Sequence, residues 1–199
     1  MKDPEQADKR RPQQTDGPEH RLIVAGFGGQ GILTLGKLLC MAALSDGKKV
    51  TYLPSYGAEV RGGTANCQVV ISSGTIYSPL VEQADSLIIL NQLSYERFAR
   101  AVKPAGLMLL NSSGVDAGGA TPSGDVRVLS LPAAEIAADM GDVRVANVIM
   151  LGAFVRLTAL VAEQSCSAAL ANLLGRRKAA LLQLNEQAFS RGGQLVEGG

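Results

Sequence analysis

The sequence predicts an α/β domain, three layers deep (α/β/α), built on a largely parallel but mixed central sheet. Short unbroken apolar runs of strand length alternate with stretches of three- and four-residue apolar spacing, the order that generates a parallel sheet covered by helices. Apolar residues make up 46% of the chain and aromatics only 4%, so a sizeable core must be built from Leu, Val, Ile and Ala. One stretch, "ANCQVVISSGTIYSP", resembles a hairpin and makes the sheet mixed.

In chain order, Leu22–Ala25 is a short apolar run bounded by glycine, which suits a buried strand. Ile32, Leu35, Leu38, Leu39 and Ala42 then recur at helical spacing, placing a helix over Gln30–Leu44. "KKVTYLP" forms the second strand, ended by Pro54. "SYGAEVRGGT" is a loop, followed by the hairpin. "SLIILN" and "GLMLLN" are buried strands on either side of a helix over Tyr95–Val102. "VRVLSL" is a further strand, and "AAEIAADMG", residues 145–163 and residues 167–189 are helical. Asn91 and Asn111 end apolar runs, where asparagine either caps the next helix or faces a ligand beyond the strand ends.

Composition narrows the function classes. A formal charge of +1, with no basic stripe interleaved with aromatics, gives no electrostatic reason to expect nucleic acid or an acidic membrane as partner. Cys40, Cys67 and Cys166 lie far apart and form no disulfide, zinc or cluster framework; reduced thiols in a cytoplasmic protein are expected. His20, the single histidine, rules out a multi-histidine metal centre. Residues 1–20 lack a signal-type apolar region and read as a disordered polar tail, ahead of one domain over 21–190 and a flexible C-terminus over 191–199. Val145–Ala162 is apolar nearly all round, but it carries Asn147 and Arg156, and a mid-membrane arginine costs ~2.5–3.5 kcal/mol. Such a helix is expected in the core or beneath another subunit.

Residues 26–31, "GFGGQG", carry the first chemical signal. Gly26, Gly28 and Gly31 fit G-x-G-x-x-G between a predicted strand and a predicted helix, the Rossmann-like context in which the pattern gains meaning. Gly26 would permit the tight turn, Gly28 the approach of a phosphate, and Gly31 close helix–strand packing. The helix start would offer unpaired N–H groups and a positive dipole end. A ligand-free turn needing positive φ is the bland alternative. A nicotinamide dinucleotide would also want an acid at the end of the second strand, ~20 residues on. No Asp or Glu stands between Lys48 and Ala58, Asp46 comes too early, and Glu59 too late.

A second glycine-dense element, "PSYGAEVRGGTANC", sets Arg61, Gly62, Gly63 and Thr64 together, where a guanidinium could hold a phosphate or carboxylate, or pair with Glu59. Cys67 follows; with no histidine nearby to activate it, a small buried thiol is the expectation. With "GFGGQGILTLGKLL" and "RVANVIMLGA", in that order, the chain resembles the gamma subunit of the 2-oxoacid:ferredoxin oxidoreductases over about residues 22–190. "PSYGAEVRGGTANC" and "IYSP" look most like the 2-oxoglutarate branch, although the pyruvate, branched-chain and indolepyruvate branches share much of the pattern.

The resemblance implies a subunit that is inactive alone. Alpha and beta partners, with a ferredoxin-like delta chain in some enzymes, would carry thiamine diphosphate, Mg and [4Fe–4S] clusters. Electrons would pass to ferredoxin and the acyl group to coenzyme A. This subunit would contribute assembly and coenzyme A binding through Gly26, Gly28, Gly29, Gln30, Gly31, Arg61, Gly62, Gly63, Thr64 and Asn147, with no catalytic or metal-ligating residue of its own. Coenzyme A also accounts for the missing acid, since its 3′-phosphate would repel one. A stand-alone NAD(P)- or flavin-binding oxidoreductase and a non-catalytic nucleotide-sensing module are the alternatives.

Overall fold

The computed structural model describes residues 17–55, 64–119, 124–175 and 179–197. The polar tail over 1–16 and the segment holding Arg61, Gly62 and Gly63 lie outside the described residues, as do residues 198–199. Six strands form one sheet in the order β2-β3-β1-β4-β5-β6. They are β1 (Glu19–Phe27), β2 (Lys49–Ser55), β3 (Thr64–Ser72), β4 (Ala84–Ile89), β5 (Val102–Asn111) and β6 (Arg127–Leu131). Strands β1, β4, β5 and β6 pair in parallel, whereas β3 runs antiparallel between β1 and β2. The sheet is therefore mixed, and its helices are α1 (Ile32–Ser45), α2 (Gln92–Phe98), α3 (Ala133–Asp139), α4 (Ala146–Thr158), α5 (Glu163–Leu174) and α6 (Ala179–Gln194).

The antiparallel element differs from the expected hairpin. "TIYSP" forms no strand; β3 pairs instead with β2 and β1, because the apolar run Val69, Val70 and Ile71 buries side chains on both faces of the sheet and so belongs inside it, not at a rim. Residues 73–83 carry the chain past the start of β1, held where Arg21 Nη1 donates to Leu80 O (2.8 Å) and the Val81 N–H to Gln68 Oε1 (2.7 Å). Pro54 does not end β2 but sits inside it, opposite Cys67; β2 is an edge strand, where a missing N–H costs no ladder bond. The expected helix over 167–189 is two helices, since Gly175 at φ +71° closes α5 before α6 begins. Strand β1 starts at Glu19, and α6 runs to Gln194 with Val196 buried, so the ordered fold extends beyond residues 21–190 at both ends.

The two faces of the sheet are covered unequally. Helices α1, α3, α4, α5 and α6 enclose the larger core, while α2 and the loops around Val81 and Val115 cover the smaller one. Every residue of α4 from Ala146 to Val155 is buried within this one chain. No second subunit is needed to cover that apolar helix, because α6 crosses it with backbones almost touching. An added Cβ would lie 1.9 Å from Phe189 O at Gly152 and 1.9 Å from Ile149 O at Gly192. Of the two expected places for this helix, the core is the one observed, because paired glycines bring the covering helix close enough to bury it.

His20 belongs to β1 rather than to a solvated tail. Its Nε2 lies 3.0 Å from Ser86 Oγ and its ring meets Phe154 edge-on. Burial pushes the imidazole below its usual 6.5, with Lys103 and Lys48 adding to the effect and Asp85 opposing it. The native state thus holds a neutral ring, and the unfolded chain binds the extra proton first. Stability is present above 6.5 and is lost as pH falls from there toward the depressed folded value. Between about pH 7.5 and about pH 5.5, wild type should lose more melting temperature than His20→Gln, measured by thermal denaturation. Equal losses in the two proteins would remove His20 from the account.

Candidate functional site

Strand β1 delivers the chain at Phe27 into a four-residue turn, closed where the Gln30 N–H donates to Phe27 O (3.2 Å). Gly29, at the third position with φ +96°, has the sign a type II turn demands. Gly31 follows at φ +73° and is the N-cap of α1, and the Leu35 N–H closes the first helical bond onto its carbonyl (2.9 Å). No side chain caps this helix start. The amides of Ile32, Leu33 and Thr34 therefore carry the positive end of the α1 dipole.

The glycines share the work differently from the motif's usual division. The turn falls on Gly29 and Gly31, not on Gly26. Gly26 is extended strand, and a Cβ there would meet Ile32 Cδ1 at 2.6 Å and Gln30 Oε1 at 2.7 Å. Close packing of α1 onto the sheet falls on Gly36, one turn further in, where a Cβ would lie 2.5 Å from Cys67 Sγ and 3.0 Å from Tyr52. Gly31 is pressed against Asn147 instead, its Cβ position being 2.2 Å from Asn147 Nδ2.

Two polar side chains brace the turn from below. Gln30 Oε1 accepts from the Phe27 N–H (2.6 Å) and from Asn91 Nδ2 (3.5 Å), while its Nε2 donates to Leu90 O (3.4 Å). The chain leaves β1 toward β2 and leaves β4 toward β5, so the topological switch point lies between β1 and β4. The Gln30 carboxamide bridges that gap. Asn147, buried at the start of α4, donates from Nδ2 to Gly31 O (3.1 Å). Asn91 caps α2 by accepting the Ser94 N–H (2.8 Å), and Asn111 Oδ1 takes the Ala134 N–H (3.2 Å). Asp46, too early for a ribose, accepts the Ala162 N–H (2.7 Å) and the Ser165 hydroxyl at the start of α5.

Above the turn lies an open cavity of about 390 Å³, lined by the loop glycines, the first turn of α1 through Thr34, Ser55 and Ala65. No acidic side chain lines it among the described residues. Thr64 faces Phe27 across the β1–β3 ladder and accepts a bond from Arg97 (3.2 Å). The fold thus brings the glycine turn, the start of β3 and the start of α4 together, although they are far apart in sequence. Ser55 and Ala65, at either side of the segment holding Arg61, both line the cavity. Cys67 is buried against Ile32 O, and burial pushes its thiol up to about 12. Cys40 and Cys166 are pushed up to about 12 in the same way, so at neutral pH all three are protonated thiols rather than nucleophiles. Among the described residues no three His, Cys, Asp or Glu side chains group to hold a metal, and no helix is long and apolar enough to cross a membrane.

A glycine turn feeds an uncapped helix whose start faces an open cavity, in an α/β domain built on a mixed sheet. The chain belongs to the pyruvate ferredoxin/flavodoxin oxidoreductase family, whose pattern matches residues 21–195. It is 44% identical over 140 residues to the ketoisovalerate oxidoreductase subunit VorA of Methanothermobacter thermautotrophicus, covering 70% of this chain but 28% of that protein's length. It is 35% identical to the 2-oxoglutarate synthase subunit KorC of Methanocaldococcus jannaschii, over 87% of this chain and 92% of that one. In structure it resembles the keto/oxoacid ferredoxin oxidoreductase gamma subunit from Geobacter sulfurreducens (TM-score 0.77, 29% identity, 89% of this chain and 95% of that one). It also resembles part of the 2-oxoglutarate:ferredoxin oxidoreductase from Magnetococcus marinus with 2-oxoglutarate, coenzyme A and succinyl-CoA bound. That likeness has a TM-score of 0.82 at 28% identity, over 90% of this chain and 31% of the other.

Ser55, Thr34 and the brace role of Gln30 were not foreseen from sequence. Thr34 follows the last glycine by three residues and faces the same way as the free amides, a signal legible once the helix start is known. Ser55 carries no signal, because only the fold of β2 against β3 brings it to the rim.

Proposed function

We propose that this chain is the gamma subunit of a thiamine-dependent 2-oxoacid:ferredoxin oxidoreductase, and that its glycine turn holds the diphosphate of coenzyme A. The observation that carries this reading is the open cavity over an uncapped helix start, lined by no acidic side chain among the described residues. An added Cβ at Gly29 would meet nothing within 4 Å, so none of the described residues fills the cradle there. Backbone N–H groups at a helix start suit an anion that carries no proton to exchange. Gly28, Gly29 and Gly31 with the amides of Ile32 to Thr34 would hold the phosphates, and the hydroxyls of Thr34 and Ser55 lie within the same cavity. Gln30 and Asn147 serve by holding the turn in shape. Arg61, Gly62, Gly63 and Thr64 complete the assignment toward coenzyme A or a thiamine-bearing partner.

In the assembled enzyme, alpha and beta subunits would supply thiamine diphosphate, Mg and [4Fe–4S] chemistry, with a ferredoxin-like delta chain as a further partner. One 2-oxoacid and one coenzyme A thiol would yield one acyl-CoA, one CO₂ and one proton, with two electrons passed singly to ferredoxin. The residues of this chain bind and orient; none takes part in proton transfer. The reading places the complex in the cytoplasm. The preferred 2-oxoacid is 2-oxoglutarate, supported by the near full-length likeness to a 2-oxoglutarate synthase subunit. The higher identity to a ketoisovalerate oxidoreductase subunit favours a branched-chain substrate as the second reading. Turnover of the reconstituted complex with each acid decides between them.

Calorimetric titration of the complex with coenzyme A tests the cradle. Gly28→Val should weaken binding by about tenfold or more, ~1.4 kcal/mol, by filling the space the phosphates need. Arg61→Ala should weaken it if that side chain reaches the coenzyme. Unchanged affinity in both variants removes the assignment.

A further inference from the structure

Residues 28–31 carry a single side chain, that of Gln30. Asn147 holds the turn from the α4 side, and from the sheet side its shape rests on how the Gln30 carboxamide is fixed. Gln30 Oε1 takes the Phe27 N–H in a short bond of 2.6 Å. The rest of the group is clasped by two consecutive buried residues at the end of β4. Its Nε2 donates to Leu90 O (3.4 Å), and its Oε1 accepts from Asn91 Nδ2 (3.5 Å). Each bond is long, but the two act on opposite ends of one planar group, and a single orientation satisfies both. The base of the clasp is itself tied down: the Leu90 N–H donates to Ala25 O (2.9 Å), and Asn111 Nδ2 shares the Leu90 carbonyl (3.5 Å).

The orientation of Asn91 is set independently. Its Oδ1 accepts the Ser94 N–H (2.8 Å), so the NH₂ is the end that faces Gln30. Capping α2 does not by itself call for asparagine, since serine and aspartate start a helix equally well. Of these three, asparagine alone carries an acceptor and a donor on separate branches. We infer that Asn91 is a positioning residue for the glycine turn, fixing the Gln30 carboxamide that holds the Phe27 amide. Neither Asn91 nor Gln30 lines the cavity above the turn, so the effect on a ligand passes through the backbone. For that effect the inference rests on the phosphate assignment above; the effect on the turn stands apart from it.

Amide hydrogen exchange of the full chain reads the turn directly, because the Phe27 N–H is the bond the clasp protects. Asn91→Ser keeps a cap and loses the second branch. The Phe27 amide should then exchange about three- to tenfold faster, the contribution of one hydrogen bond, while the Ser94 amide keeps its protection. Asn91→Asp also keeps a cap but sets an oxygen against Gln30 Oε1, and should exceed that rise. Whichever variant leaves the Ser94 amide protected is the one to read. In a Gln30→Ala background neither substitution should change the Phe27 amide further. Coenzyme A affinity of the complex should fall in Asn91→Ser by a similar factor, a loss that a cap alone would not cause. A Phe27 amide unmoved beside a protected Ser94 amide, or an equal rise in the Gln30→Ala background, overturns the positioning role. So does a coenzyme A affinity that Asn91→Ser leaves unmoved, and in each case binding by wild type leaves the cradle standing. A Phe27 amide that responds in a complex binding no coenzyme A keeps the positioning role and overturns the cradle.

Discussion

Gly152→Ala and Gly192→Ala should each lower the melting temperature by about 6–12 °C, the consequence of about 3 kcal/mol lost in a chain of this size. At both positions the new Cβ would stand 1.9 Å from a carbonyl oxygen of the opposing helix, so neither a rotamer change nor a flexible neighbour can relieve the contact. The helices must separate, and the buried residues of α4 from Ile149 to Val155 then lose their fit against α6. Gly193→Ala is the internal control. Its Cβ would find nothing nearer than Arg156 Nε at 3.6 Å, and alanine is the better helix former by about 0.8–1.0 kcal/mol. Thermal denaturation of the three variants should therefore give two large losses and one small change of either sign. Three similar values would mean that the crossing is not this close.

Gly31→Ala should damage the fold as well as the cradle, whereas Gly29→Ala should strain the turn and crowd the cradle without disturbing the packing beneath it. Both sites lie at positive φ, where a side chain costs roughly 1–2 kcal/mol. At Gly29 the methyl group would point into open space. At Gly31 it would displace the Asn147 amide, which then loses its bond to Gly31 O; an unpaired buried amide costs a further ~1–3 kcal/mol. Coenzyme A affinity, read by the same titration, should fall by more than about tenfold in Gly31→Ala as the helix start shifts. Asn147→Ala in the Gly31→Ala background should restore part of the lost stability by removing the clash. A double-mutant coupling of about 1 kcal/mol or more is expected, and additive losses would show that the two residues do not meet.

Much of the fold was legible because its elements answer to local rules. The apolar runs over Leu22–Ala25 and in "SLIILN" and "GLMLLN" had to be buried strands. The periodic stretch after "GFGGQG" had to be a helix, since a stripe at three- and four-residue spacing can be buried in no other way. Asn91 was legible as a cap for the same reason, because its partner, the Ser94 N–H, is three residues away. What failed was non-local. "TIYSP" follows a turn signal closely enough to suggest a hairpin, yet β3 finds its partners in strands that precede it. Helical spacing over 167–189 continues past Gly175, whose positive φ divides α5 from α6.

The site divides along the same line. By its sequence alone the chain declared an α/β domain, a side-chain-free turn at the first helix start, three separated motifs shared with a thiamine-enzyme subunit family, and thiols with no partner to activate them. These follow from spacing within a few residues or from the types of residue present. Tertiary structure alone decided which glycine turns and which one packs, how Gln30 and Asn147 are spent on holding the loop, and that α6 rather than another subunit covers α4. Those outcomes depend on contacts between residues some thirty to more than a hundred positions apart, or on atoms within 3 Å across two helices, and no local pattern encodes a distance of that kind.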